Sequence, residues 1–340
     1  MKAMMGLSVA AALTMAAPAP AQAQDFYAGK TITIIVGSDA GGGYDTYARL
    51  FARHLPRLIP GKPTVVVQNM PGAGSARAAG HLSRVAAKDG TVMGIVQPGA
   101  LVGPLIEGKP DPNYDATKFF YLGSADSSNR VCITMANSRI KTFDDAQREK
   151  VIAGTAGTGS SSRDYAFLHK NTSGANFTLV GGYVGMADLY LALERGEVDT
   201  ICGFDWASVK AQRPNFIRDK KINVLVQAGL EPFPELTAMG VPEIWKYTKG
   251  ERNTAIVQLI VSQQLFGRPF MLPPSVPKER GDILRAAFDK AFTDPELLAD
   301  AAKMNADITP ASGVKVQDTI ERMYSASPDL VQAAAKAVRE

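Results

Sequence analysis

The stretch "KTITIIVGSDAGGGYDTYARLFARHL" (residues 30–55) decides the fold. Lys30 to Gly37 alternates and is rich in β-branched residues, so it reads as a buried first strand. Four glycines follow at Gly37, Gly41, Gly42 and Gly43. Beyond them Ala48, Phe51, Ala52, Leu55 and Leu58 recur at helical spacing, which predicts a helix to about Ile59. A strand that runs through glycines into a helix start leaves backbone N–H groups free where the macrodipole favours an anion. Glycine also lets a ligand approach the backbone closely.

The same alternation continues outward. "PGKP" (60–63) breaks the helix, "TVVVQN" (64–69) reads as a strand and "MPGAGS" (70–75) as a second glycine loop. "ARAAGHLSRVAA" (76–87) reads as a helix and "TVMGIVQ" (91–97) as a third strand. After a loop rich in Pro, Asp and Asn (108–118) a new unit begins. In it, "RVCITMA" (130–136) is a strand, "TFDDAQRE" (142–149) a short helix, and "KVIAGTAGTGSSSRDYAFLHKNTS" (150–173) a strand, a Gly-Ser loop and a helix. "ANFTLVGGYVG" (175–185), "VDTICGF" (198–204) and "INVLVQAG" (222–229) are further strands, with a helix in "MADLYLALERGE" (186–197). The remainder reads as mostly helical, including a helix start at Asp294-Pro295-Glu296. This pattern argues a parallel α/β architecture, and 340 residues suggest two domains.

The first 23 residues read as a leader. Lys2 precedes an apolar run from about Ala3 to Ala17, and Ala21-x-Ala23 has the small-residue pattern of a cleavage site. The run is short against the ~20 residues of a membrane span, so we expect an exported protein cleaved after Ala23. Removal of the leader leaves 36 basic against 33 acidic residues, a charge of +3. No block of like charge appears, which gives nucleic-acid binding no support. Cys132 and Cys202 would meet an oxidising compartment, where they could pair; the favoured expectation is two buried thiols in strands.

Three strand-to-helix loops, 37–45, 154–162 and 181–186, fall where open α/β sheets bind ligands. Neither a Walker loop nor a G-x-G-x-x-G in register is present, which disfavours nucleotides. Asp45, in the first helical turn, argues against a dianion in direct contact; it either holds a water or ligand hydroxyl, or serves as a capping residue. His54, His81 and His169 all fall in predicted helices rather than in the glycine loops. There is no nucleophile elbow and no cluster with metal-ligand spacing, so neither a catalytic group nor a cofactor is expected. Among the aromatic residues near the loops (Tyr44, Tyr183, Phe204 and Trp206), Trp206 beside Asp205 is the best candidate for a ring lining a cleft.

These residues resemble the tripartite tricarboxylate transporter receptors, the Bug family of periplasmic solute-binding proteins. The resemblance rests on Gly41-Gly42-Gly43-Tyr44-Asp45 with Ala48-Arg49, on "VVVQNMPGAGS" (65–75), and on the turn Asp89-Gly90-Thr91. In the second unit it rests on Gly154-Thr155-Ala156-Gly157-Thr158-Gly159-Ser160, on Gly182-Tyr183-Val184-Gly185 and on Gly196-Glu197-Val198-Asp199. The sequence departs from the family pattern at Ser38 and Asp39, which replace an aromatic-proline turn, at Met70 and at Gly182.

The resemblance implies a type II periplasmic binding protein fold: two α/β lobes, a hinge and an interlobe ligand cleft. Lobe 1 would be 27–127 plus 229–340, and lobe 2 would be 128–228. It implies a periplasmic receptor that grips a small organic anion, a di-, tri- or aromatic carboxylate, and delivers it to a membrane permease. The expected contacts are Ser38, Gly41, Gly42, Tyr44 and Asp45 on the first loop, Gly157, Thr158 and Ser160 on the second, and Tyr183 and Asp205 beside them. Two other classes stay open on sequence grounds: a periplasmic enzyme acting on a carboxylated substrate, and a ligand sensor for a signalling system.

Overall fold

The computed structural model describes residues 26–157, 160–304 and 306–339. The expected leader and Thr158 lie outside the described residues. Eleven strands among the described residues form two sheets.

The first sheet contains β1 (Thr31–Val36), β2 (Thr64–Asn69), β3 (Val92–Ile95) and β4 (Phe120–Ser124), with helices α1 (Gly43–Leu58), α2 (Ala76–Arg84) and α3 (Pro98–Ile106) in the intervening segments. β2, β1 and β3 lie parallel, with Ile34 opposite both Val67 and Met93. Ile32, Ile34, Ile35 and Val36 of β1 are all buried, as expected for a strand covered on both faces.

The second sheet is built from β5 (Arg130–Met135), β6 (Val151–Ala156), β7 (Phe177–Tyr183), β8 (Thr200–Asp205) and β9 (Ile222–Ala228), in the order β7-β6-β8-β5-β9. Helices α4 (Phe143–Arg148), α5 (Ser161–Thr172), α6 (Met186–Glu194), α7 (Trp206–Gln212) and α8 (Pro214–Arg218) belong to this stretch of chain. Thr142 and Asp145 form a reciprocal capping box at the start of α4, satisfying two otherwise orphaned donors.

After β9 come α9 (Pro234–Ala238), α10 (Glu251–Val261), β10 (Pro269–Leu272), α11 (Lys278–Ala291), α12 (Pro295–Lys303), β11 (Ala311–Ser312), α13 (Gly313–Tyr324) and α14 (Pro328–Ala337). β10 and β11 return to the first sheet, giving the order β11-β4-β10-β3-β1-β2, with β10 antiparallel to both neighbours. The sequence does not predict α3, β4, β10 or β11. Each is short, and β10 has only four residues, so neither period has room to show. The predicted start of α12 holds: the Asp294 side chain accepts from the Glu296 N–H, with Pro295 at the first position.

The chain passes between the sheets at 125–129 and again at 229–268. The two passages are bound together. Asn129 Nδ2 donates to Gln227 Oε1 and to the Glu231 carbonyl, both at 2.9 Å. Gly229 is pressed so close that a Cβ there would lie 1.9 Å from Asn129 Oδ1. An aromatic cluster fills the first sheet's helical side, where Phe51 of α1 stacks on Phe288 at 5.2 Å and meets Phe270 at 4.9 Å.

The cysteine expectation is overturned. Cys132 and Cys202 sit on the neighbouring antiparallel strands β5 and β8 and form a disulfide. Both are fully buried, as expected, but 70 residues apart in sequence they become partners only once the sheet forms.

Candidate functional site

The first glycine loop is shaped by side chains from three elements. Asp45 Oδ2 accepts the Gly41 N–H at 2.8 Å and Arg49 Nε at 2.9 Å; Oδ1 accepts Asn69 Nδ2 at 3.0 Å. The same Asn69 amide donates to the Ser38 carbonyl at 3.0 Å, and Ser75 Oγ donates to the Gly37 carbonyl at 2.9 Å. The second sequence signature, at the end of β2, is therefore a brace for the first loop. Asp45 is 2% exposed. Burial alone would raise its pKa, but the Arg49, Gly41 and Asn69 donors outweigh it and hold the carboxyl below its ordinary value. Asp45 thus closes the loop onto Gly41 without capping α1, whose N-cap Gly42 has no side-chain cap hydrogen bond.

The second loop leads into α5. Ser160 is its N-cap and accepts the Arg163 N–H at 3.4 Å; its hydroxyl is 3.1 Å from Ser162 Oγ, which in turn accepts the Ala156 N–H. Gly157 is exposed. Beneath the start of α5, Gly203 has a φ of +76°, and a Cβ there would lie 2.1 Å from the Ser161 carbonyl oxygen. Only glycine lets β8 approach the helix so closely.

Tyr183 is half-buried and packs against a satellite core that contains Leu189, Tyr190, Phe204 and Trp206. Trp206 corrects the sequence reading. It is fully buried in that core, because α7 turns its first residue inward, so it lines no cleft. Asp205, at the carboxyl end of β8, is 3.1 Å from Arg130 Nε in a partly exposed ion pair.

Sequence reasoning missed the charged centre of the site. Arg130 opens β5, and its Nη1 donates to the Gly203 carbonyl at 2.9 Å while Nε reaches Gln264 Oε1 at 3.2 Å. Gln264 also donates to the Tyr165 hydroxyl at 2.7 Å. Arg130, Tyr165 and Gln264 line a cavity of about 480 Å³ with Gly99 of α3 and Ser161 and Asp164 of α5. Burial pushes the Asp164 carboxyl up to about 6, against the opposing effect of Arg339 and Arg163.

Arg268 lies just before β10, with its guanidinium 4.3 Å from the Tyr44 ring centroid and 5.5 Å from that of Tyr47. Asp126, on the first passage between the sheets, accepts from Thr309 Oγ1 at 2.9 Å. Burial raises the Asp126 carboxyl to about 6, with Arg268 pulling it down and Asp205 and Asp307 pushing it further up. Tyr44, half-buried on the first loop, feels Arg268, Asp205, Arg130 and Asp126 together. Arg130, paired with Asp205, thus borders the α5 cavity, and its charge reaches Tyr44 through space. The available sequence signals were faint: an arginine opening the strand in "NRVCITM", and another before the short apolar run of "GRPFML".

All three histidines lie in helices, as expected. His54 pairs with Asp300 at 3.1 Å. His169 is buried beside the disulfide, with one of its ring nitrogens and the two sulfurs all within 4.8 Å of one another. Those sulfurs are bonded to each other and offer no thiolate to a metal.

Known proteins place this geometry in a fold. No family model matches the chain. A protein of Agrobacterium vitis, described as "UPF0065 protein in the TAR-I ttuE-ttuC' intergenic region", is 31% identical over 195 residues, 54% of this chain and 54% of that protein. The chain thus spans about half the length of the curated relative it matches. Among solved structures, a TctC solute binding protein from Polaromonas superposes with a TM-score of 0.70 at 18% identity, over 90% of this chain and 98% of that one. The periplasmic binding protein BugD gives 0.59 at 20% identity, over 91% and 97%. A Rhodopseudomonas palustris protein solved with adipate gives 0.60 at 19% identity, over 91% and 97%. The fold is that of the two-lobed periplasmic solute-binding proteins, and the structures it resembles are TctC and Bug proteins, in line with the resemblance read from the sequence.

Proposed function

We propose that this chain is an exported receptor of the tripartite tricarboxylate type, which captures a small organic carboxylate between two lobes and presents it to a membrane permease. The observation that carries this reading is an arginine-bearing cavity at the start of α5, just after the predicted Gly-Ser loop. Arg130 is ion-paired to Asp205 at the end of β8 and lines that cavity with Ser161 and Tyr165. The adipate in the structurally similar Rhodopseudomonas palustris protein supports a carboxylate as the ligand. The lobes would be 27–127 with 229–340, and 128–228, closing about the two passages that Asn129 ties together. Ser38, Gly41, Gly42, Tyr44, Gly157, Thr158, Ser160 and Asp205 remain the proposed contacts, with Tyr183 at the margin and Asp45 shaping the loop rather than facing the ligand.

A ligand that binds only the folded state raises the melting temperature by mass action. A thermal-shift screen of adipate, succinate, citrate, benzoate and neutral sugars, followed by calorimetry, tests the reading. We expect at least one acid to stabilise the protein and the sugars to leave it unchanged. Stabilisation by sugars alone would overturn it. Export is tested separately: mature protein recovered from the periplasm should begin at Gln24, and a retained leader would refute cleavage after Ala23.

A further inference from the structure

Arg268 presents a physical problem in this molecule. Its Nε is buried and has no hydrogen-bond partner among the described residues. Nη1 is satisfied by the Gly267 carbonyl at 2.9 Å. Asp126 and Asp205 act on the guanidinium only through space, as do Tyr44 and Tyr47. A buried cation without a hydrogen-bonded counter-ion is costly, because hydration is lost and nothing replaces it.

The surroundings show which groups a counter-ion would meet. Nη2 approaches the first glycine loop so closely that a Cβ on Gly43 would lie 3.3 Å from it. On the same loop the Ser38 hydroxyl is also buried without a partner. Two unsatisfied polar groups, one of them cationic, thus flank Gly42 and Gly43. The Tyr44 and Tyr47 rings fix the guanidinium plane, leaving an edge of the fork to present two donors to a planar oxyanion.

We propose that Arg268 is the carboxylate anchor of this receptor, binding one ligand carboxylate with the Ser38 hydroxyl, and that the site selects acids whose carboxylates stand apart over acids that cluster them. The proposal rests on the receptor reading above. The selectivity follows from the neighbours: a Cβ on Gly267, the residue before Arg268, would lie 3.4 Å from Asp126 Oδ2, and Asp205, paired with Arg130, adds negative charge through space. One carboxylate would give Arg268 the hydrogen-bonded counter-ion it lacks. A second or third on adjacent carbons would be brought against Asp126 and Asp205, where like charges repel strongly in a dry cleft.

The test uses calorimetry and thermal shift on the full mature chain, with adipate, benzoate and citrate as probes, for wild type, Arg268→Met, Arg268→Lys and Ser38→Ala. We expect adipate or benzoate to bind wild type more tightly than citrate, Arg268→Met to weaken that acid at least tenfold, and Arg268→Lys to recover part of the loss. Without ligand, Arg268→Met should melt no lower than wild type, because it removes an unpaired buried charge. A merely structural arginine would give the opposite pattern: a lower melting temperature and unchanged affinity. Three results overturn the proposal: that pattern, citrate binding tightest, or equal affinity in wild type and Arg268→Met. Failure of wild type to bind any of the three acids overturns it as well; the receptor reading itself falls only if sugars, and none of the screened acids, stabilise the protein.

Discussion

The two glycine loops, one in each sheet's stretch of chain, are held in place by opposite means. The first, after β1, is shaped by a charged network in which Asp45 gathers the Gly41 N–H, Arg49 and Asn69. The second, after β6, is shaped by hydroxyls and by close backbone contact, with Ser160 and Ser162 at the helix start and Gly203 beneath it. Its foundation is covalent, since β5 and β8 are joined by Cys132–Cys202. A loop built from charges responds to pH and to loss of a single side chain. A loop built on a staple and on glycine responds to redox state and to added bulk. The contrast concerns how each platform is kept rigid.

The largest expected effect strikes the second platform. Cys132 and Cys202 close a long loop, and in the chain-entropy account a cross-link of that span stabilises by about 4 kcal/mol. The double variant Cys132→Ala/Cys202→Ala should show a correspondingly lower urea midpoint, and reductant should have no further effect on it. A midpoint unchanged from wild type would erase the contrast between the two platforms.

A smaller effect sharpens the same side. His169 is packed against Phe143 and Tyr165, and burial lowers its pKa to about 3. The unfolded chain binds the proton near 6.5. Stability contributed by neutral His169 is therefore complete above about 6.5 and lost as the pH falls toward 3, by about 2 kcal/mol at pH 5. His169→Phe should lose less stability than wild type between pH 7 and pH 5, measured by urea unfolding at each pH. Parallel curves would place the acid sensitivity elsewhere.

The smallest effect falls on the first platform. Asp45→Asn keeps the shape but has one acceptor oxygen where the carboxylate offers two, so it cannot serve Gly41, Arg49 and Asn69 together. We expect a loss of about 1 kcal/mol, with ligand affinity falling less than it does for Arg268→Met. Because partners hold the Asp45 carboxyl below its ordinary value, this contribution is present above about pH 4 and fades as the pH drops further. An affinity loss greater than that of Arg268→Met would show that Asp45 meets the ligand itself.

Much of this architecture was legible in the chain. β1, the glycine loop and α1 appeared as a change of period from two to 3.6 around Gly37–Gly43, and the Gly-Ser loop before α5 appeared in the same way. What escaped notice was short or depended on distant partners. β10 has four residues, too few for a pattern, and Arg268 went with it. Trp206 looked like a cleft residue because it follows a strand end, yet its ring is fully buried; sequence position fixes where a residue sits on an element, not which way the element packs.

By itself, the sequence determined the strand–helix alternation that runs through β1 to β3 and β5 to β8 and the positions of the glycine turns, because those depend on local periodicity and backbone freedom. Only the tertiary structure decided that Cys132 meets Cys202, that Asn69 and Ser75 brace a loop some thirty residues earlier, and that Arg268 and Arg130 share the neighbourhood of Tyr44. Each of these depends on sheet order. The insertion of β10 between β3 and β4 carries a late arginine to the first loop of the chain, and no local pattern encodes so long a return.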